Sequence, residues 1–182
     1  MNIEGNFKVL LTDVDISDLK SAILEATQSD WGDNEMRQNM FAVAEDTKSI
    51  ILKFNGPTQR SNHPSGTTTF DVWEKWEEVL TPVIDRLMSL YPGSVISKCF
   101  FPSLKAGGLI SPHYDSGPTL ELIHRIHVPL VTNEDVIFTC GGEELNMKEG
   151  CAYELNNQRL HSVVNNGKED RIHLLIDLYC DD

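Results

Sequence analysis

The chain has 182 residues, 40% of them apolar and 24% charged, and a formal net charge of −13. That length fits a single domain, residues 1–182, able to bury roughly 70% of its unfolded surface. The acidic excess argues against a nucleic-acid backbone or an anionic membrane as partner, because both are held by lysine and arginine.

Val9 to Leu11 reads as a short strand. Ser17 is placed to cap a helix running to about Gln28, with Leu19, Ile23 and Leu24 on its buried stripe. Phe41 to Val43 and Ser49 to Phe54 read as strands, the second stopped by Asn55-Gly56-Pro57. Gln59 to Thr69 is polar and reads as a loop able to lie over a site. Asp71 and Glu74 form a capping-box-like start to a helix reaching Leu90, and Pro82 is expected to kink it or split it after Leu80. Its apolar stripe comprises Val72, Trp73, Trp76, Val79, Leu80, Val83, Leu87 and Leu90. The tryptophans read as packing residues.

From Val95 the chain changes to short apolar runs separated by turns. Strands are expected at Val95 to Phe101, Ile110 to Asp115, Ile123 to Val131 and Val136 to Cys140. Three more follow at Cys151 to Leu155, His161 to Val164 and Arg171 to Tyr179. Gly107-Gly108, Gly141-Gly142 and Asn166-Gly167 punctuate them, and Asn166-Gly167 carries the signal of a tight hairpin. Helices followed by seven or eight strands predict an α+β protein on a double-stranded β-helix, a cupin-like jelly roll. Residues 1–93 would supply the flanking helices and supporting strands, and residues 94–182 the core.

Cys99, Cys140, Cys151 and Cys180 form no C-x-x-C pair and read as reduced thiols, which predicts a cytoplasmic protein. Met1 to Gly5 lacks the basic and apolar regions of a signal peptide, and no apolar run approaches the length of a membrane span.

The chemistry concentrates in a few residues. His113 and Asp115 lie two apart in a strand-like run, so their side chains are expected on one face. With His161 they make a 2-His-1-carboxylate set, which occupies one face of an octahedral ion and suits a non-haem Fe(II) oxygenase. Asp115 completes the triad and favours hydroxylation over halogenation, which needs that position vacated for halide. Ten residues beyond His161, Arg171 is suited to grip the far carboxylate of a co-substrate such as 2-oxoglutarate. An inward arginine needs a partner, and a structural salt bridge to Asp177 or to a neighbouring strand is the alternative. In Ile123 to Leu130, alternation puts Arg125 and His127 together, either facing carboxylates of co-substrate or substrate or forming a hydrogen-bonded rim. His124 falls on the opposite face with Ile126 and Val128, and His63 and His173, without comparable context, read as structural.

These pieces together resemble the aspartyl/asparaginyl β-hydroxylase family of Fe(II)/2-oxoglutarate dioxygenases, which includes proline-hydroxylase-like members. The resemblance covers Leu104 to Tyr179. It rests on Ser111-Pro112-His113-Tyr114-Asp115, Gly117-Pro118-Thr119, Arg125 to Leu130, Leu155-Asn156-Asn157, His161 to Asn165, Arg171 and Asp177. It implies Fe(II) on His113, Asp115 and His161, 2-oxoglutarate on Arg171 and His127, and a substrate carboxylate on Arg125. It further implies hydroxylation of an unactivated C–H in an amino acid or peptide, with O2 consumed and 2-oxoglutarate converted to succinate and CO2. Peptide-hydroxylating members nearest the family name lack the carboxylate ligand, so Asp115 points toward the proline-hydroxylase-like or uncharacterised branches and away from aspartyl-peptide hydroxylation. His173 stands where many 2-oxoglutarate enzymes carry serine or threonine. The rival readings are a cupin-like isomerase or epimerase and a non-catalytic sensor on the same fold.

Overall fold

The computed structural model describes residues 3–32, 45–55, 66–115, 117 and 119–180. In chain order the elements are β1 (Phe7–Leu11), α1 (Ser17–Leu24), α2 (Gln28–Gly32), β2 (Thr47–Phe54) and β3 (Thr68–Thr69). Next come α3 (Trp73–Met88), β4 (Val95–Leu104), β5 (Leu109–His113), β6 (Ile123–Val131) and β7 (Val136–Cys140). The last four are β8 (Glu143–Leu145), β9 (Ala152–Leu155), β10 (His161–Asn165) and β11 (Arg171–Tyr179).

The strands form two antiparallel sheets. One runs β1-β9-β6-β11-β4-β2-β3 and the other β5-β10-β7-β8. This is the jelly-roll α+β fold expected from the sequence. One face of the larger sheet presents Ile126, Val128, Ile172, Leu174, Ile176 and Leu178 to the apolar stripes of α1 and α3. Leu19 and Ile23 of α1 and Trp76, Leu80, Val83 and Leu87 of α3 fill that layer, with the Trp76 and Phe101 rings 4.9 Å apart. The other face meets the smaller sheet, where Leu104 and Tyr153 pack on Val136, Phe138 and Val163. Lying between β4 and β6, β11 is buried at all nine positions. Its period-2 alternation therefore sends Arg171, His173, Leu175 and Asp177 inward and the aliphatic set toward the helices.

Several local expectations are corrected. Ser17 does not cap α1 with its hydroxyl; its backbone N–H donates to Asp15 Oδ1 at 3.1 Å, so the aspartate two residues earlier takes that role. The helix also stops at Leu24, which is exposed, and a separate turn begins at Gln28. Asp71 and Glu74 form no capping box, because α3 begins after Val72 without a side-chain cap. Pro82 does not split α3. It sits on the exposed side, where water can satisfy the carbonyl freed by its missing N–H. The tight hairpin falls at Gly141-Gly142, both at positive φ (56° and 84°), joining β7 to β8. Asn166-Gly167 instead carries the chain from the smaller sheet to the larger one. Buried Asn165 controls that crossing: its Nδ2 donates to Leu104 O, Lys105 O and Glu169 O, while its Oδ1 accepts the Gly167 N–H. The expected strand at Phe41 to Val43 and most of the loop from Gln59 to Thr69 lie outside the described residues.

Candidate active site

Antiparallel pairing of β5 with β10 sets His113 directly across from His161. Their ring centroids are 4.2 Å apart. The Nδ1 of His113 lies 2.7 Å from Ser111 O, and that of His161 lies 2.8 Å from Arg159 O. A carbonyl only accepts, so each Nδ1 carries the hydrogen and each Nε2 keeps its lone pair. The two Nε2 atoms are therefore the ones available to a metal.

Asp115 arrives differently from the sequence expectation. β5 ends at His113, so strand alternation does not place the carboxylate. Its backbone N–H donates to Asn157 O at 3.1 Å, and Gln158 Nε2 donates to Asp115 O at 3.2 Å. The loop after β5 is thereby tied to the turn before β10. Asp115 Oδ1 then lies 3.8 Å from His113 Nε2, and Oδ2 lies 3.8 Å from His161 Nε2. Candidate donor atoms of all three residues fall within 4.8 Å of one another. Two fixed-tautomer imidazoles and one carboxylate make a facial set that fits Fe(II) and leaves positions open.

Burial opposes charge on Asp115, but Arg125 first, then His161 and His113, hold its carboxyl below the usual range. Arg125 is the correction with the largest chemical consequence. The sequence reading gave it to a substrate carboxylate. In the fold its Nε and Nη2 donate to Asp177 at 2.9 and 2.8 Å, a bidentate pair, and its Nη1 contacts Asp115. Arg125 and Asp177 are direct cross-strand partners on β6 and β11. Burial works against the guanidinium charge, yet Asp115 and Asp177 outweigh it and keep Arg125 cationic. Lys98 stands 3.8 Å behind Asp177. The alternative of an Arg171–Asp177 bridge is not what the fold builds, since Asp177 faces Arg125.

Arg171, 2% exposed, enters the space between the sheets with its guanidinium carbon 5.3 Å from the Phe138 ring centroid. His127 meets the same ring edge-on at 5.5 Å. His173, which the sequence reading set aside, stacks on it at 5.4 Å. Sequence reasoning also missed the Arg125 clamp by Asp177 and the loop tie by Gln158. The Asp177 role could have been found by pairing the two inward polar positions of neighbouring strands. His124 points to the helical side, where its Nδ1 lies 2.5 Å from Glu154 Oε1.

Burial, with Arg171 as the next cause, pushes His127 and His173 well below the ordinary histidine range, so both rings are neutral in the folded protein. In the unfolded chain each protonates near a pKa of about 6.5. Below that pH the unfolded state binds more protons, so stability falls as pH falls, by about 1.4 kcal/mol per pH unit for each ring. The urea midpoint of metal-free protein should therefore drop between about pH 6.5 and 5. The variant with both rings replaced by leucine should show a shallower slope, His161 keeping its own share; the same slope in both proteins would contradict the burial argument.

The sequence model of the aspartyl/asparaginyl beta-hydroxylase family matches residues 48–180. No curated protein matches the sequence. Among solved structures, the chain is similar to a Pseudomonas putida prolyl-4-hydroxylase, with TM-score 0.56 and 12% identity over 97% of this chain and 94% of that one. It is also similar to the viral collagen prolyl hydroxylase of Paramecium Bursaria Chlorella virus-1, solved with 2-oxoglutarate. There the TM-score is 0.54 at 12% identity, covering 98% and 97%. A 2OG-Fe(II) oxygenase family oxidoreductase from Burkholderia pseudomallei gives TM-score 0.55 at 11% identity, covering 73% and 67%. At these identities the likeness is one of fold.

Proposed function

This chain belongs to the aspartyl/asparaginyl β-hydroxylase family and is a 2-oxoglutarate- and Fe(II)-dependent hydroxylase; we propose that His113, Asp115 and His161 hold its iron. The observation that carries the assignment is the convergence of three ligand atoms, two with tautomers fixed by backbone carbonyls, on the side of the fold that also buries Arg171. When bound, the iron and 2-oxoglutarate supply activation of O2, which ends in succinate, CO2 and a hydroxylated C–H. The protein's residues do the rest. Arg171 receives the distal carboxylate of the co-substrate, and His127 forms the wall beside it. Arg125, clamped by Asp177, holds Asp115 in its ligand orientation, as outer-shell partners do for metal ligands.

For the substrate we propose an amino acid or an amino-acid residue of a peptide. The family name and the retained carboxylate ligand support this, with a proline-like substrate favoured. Tyr114 and Leu160, exposed beside the two ligand histidines, offer an apolar rim on which such a substrate can rest. No described helix is long and apolar enough to cross a membrane. The cytoplasmic location remains our proposal, supported by the four free thiols, of which Cys99 and Cys140 are buried with pKa values raised to about 12 and about 11.

The test is an anaerobic titration of Fe(II)-loaded protein with 2-oxoglutarate, watched in the visible. A weak metal-to-ligand charge-transfer band is expected, and its absence would sink the reading. In Arg171→Leu the band should appear only at roughly 10- to 150-fold higher 2-oxoglutarate, the loss of hydrogen bonding to a charged group. Iron binding alone should be unchanged.

A further inference from the structure

Asp115 lies beyond the end of β5, and its support runs through the turn of residues 156–159. The Arg159 N–H closes that turn on Asn156 O at 3.1 Å. Toward the triad, the turn offers Asn157 O to the Asp115 N–H and Arg159 O to His161 Nδ1. Gln158 Nε2 donates to both Asp115 O and Leu120 O, and Asn157 Nδ2 donates to Leu120 O at 2.9 Å. One turn therefore fixes the backbone of one member of the triad and the ring orientation of another.

The opposite side of the same turn is gripped by residues 3–6, which run ahead of β1. Asn156 is buried, and both hydrogens of its side-chain amide are used on that segment: Nδ2 donates to Ile3 O at 3.3 Å and to Gly5 O at 3.0 Å. Its Oδ1 accepts the Gln158 N–H at 3.3 Å. The Asn156 backbone N–H donates to Asn6 O at 2.9 Å, which extends the β1–β9 ladder by one residue. Arg159 Nη1 donates to Asn6 Oδ1 at 3.1 Å, and Asn6 Nδ2 donates to Glu143 Oε2 at 2.9 Å. Gly141 leaves room for this contact, since a Cβ there would collide with the Asn6 amide. A buried amide is costly unless its polar atoms are met, so Asn156 is held in place only while both the turn and the segment meet it.

Resting on the metal assignment above, we propose that residues 3–6 are part of the support of the metal centre, and that Asn156 is the positioning residue through which they act. With the segment in place the turn is clamped from both sides, and the Asp115 carboxylate and His161 Nε2 are held where one ion meets both. With the segment released, the Asn156 amide loses the two carbonyls that use its hydrogens and the turn gains freedom. Asp115 must then be ordered each time metal binds, and that ordering is subtracted from affinity. His113 does not share this dependence, because the pairing of β5 with β10 fixes it. The effect therefore falls on Asp115 first.

Two measurements on the full chain decide it. Hydrogen exchange of the metal-free protein, followed by NMR, reads the Asp115 amide, whose bond to Asn157 O reports the clamp. Asn156→Leu should speed that amide about tenfold while amides in the middle of β11 keep their wild-type rates. This substitution disturbs the turn as well as the segment, so the deciding variant is Asn6→Ala, which alters no residue of the turn and serves equally if the first variant does not fold. It should speed the same amide roughly two- to tenfold, the worth of one hydrogen bond. Co(II) titration in competition with a chelator then reads the ligand set. Affinity should fall about tenfold in Asn156→Leu, the lower end for losing an outer-shell partner, and by less in Asn6→Ala. Wild-type exchange at Asp115 in Asn6→Ala, or exchange that rises only in step with every core amide, overturns the proposal. Faster Asp115 exchange with unchanged Co(II) affinity overturns it too, since the clamp would not serve the metal. A wild-type protein that takes up no Co(II) overturns the metal assignment and the proposal with it, a result distinct from a normal wild type with insensitive variants.

Discussion

Asp115→Ala is expected to lower substrate-coupled succinate release by more than about 100-fold, beyond the span usual for removing an outer-shell partner of a metal site. The alanine removes the only carboxylate in the ligand set and leaves two imidazole Nε2 atoms. It also leaves the Arg125 guanidinium aimed at an empty place beside the metal, so a cation opposes iron where an anion had drawn it. Iron should be retained more weakly, measured by competition with a chelator. Mass spectrometry of the product, scored for a gain of one oxygen, completes the measurement. Unchanged turnover would remove Asp115 from the ligand set.

Arg125→Leu is expected to be the most destabilising substitution near the site. The guanidinium stands between two carboxylates, one of them with a side chain 0% exposed, and removing it leaves Asp177 with Lys98 at 3.8 Å. Breaking a buried pair by deleting one partner costs about 3–5 kcal/mol, because the remaining charge is left in a poor solvent. For a chain of this length that corresponds to a Tm lower by roughly 6–20 °C. The double variant Arg125→Leu with Asp177→Leu should be less destabilised than Arg125→Leu alone, since no carboxylate is orphaned at that position. Strictly additive losses would show that the two residues do not act as a pair. Melting of the metal-free proteins separates these outcomes from any change in iron affinity.

Much of this was readable before the fold was known, and the reasons are specific. β11 announced itself through nine residues of strand character, with the polar Arg171, His173 and Asp177 all on one face of it. His161 was legible as the distant candidate because β-rich sequence folds back on itself, and its pairing with His113 provides the meeting point. Asp115 does lie with His113 and His161, as expected from the sequence, but for a reason other than the one expected. It is outside the strand, and its position depends on hydrogen bonds from a turn more than forty residues away in the chain. The role of Arg125 was missed for a similar reason. One strand read alone shows that an arginine points inward; only the β6–β11 register shows that Asp177 is opposite. The two turns were exchanged because Asn-Gly is a strong local signal, yet Asn165 spends its side chain on distant carbonyls and directs the chain into the other sheet. Local patterns supplied the residue types and faces, whereas partnerships between strands came from the fold.

β11 has a consequence for how this protein comes together. It is the last strand in sequence among those described, but it lies in the middle of the larger sheet, between β4 and β6. Until residues 171–179 insert, β4 and β6 each expose an open hydrogen-bonding edge, the kind of surface on which chains stick to one another. The insertion also requires contacts far apart in sequence, which slows folding. A nascent chain stalled before Arg171 would therefore hold His113, Asp115 and His161 without the sheet that aligns their surroundings, and it would be most prone to aggregate at that stage.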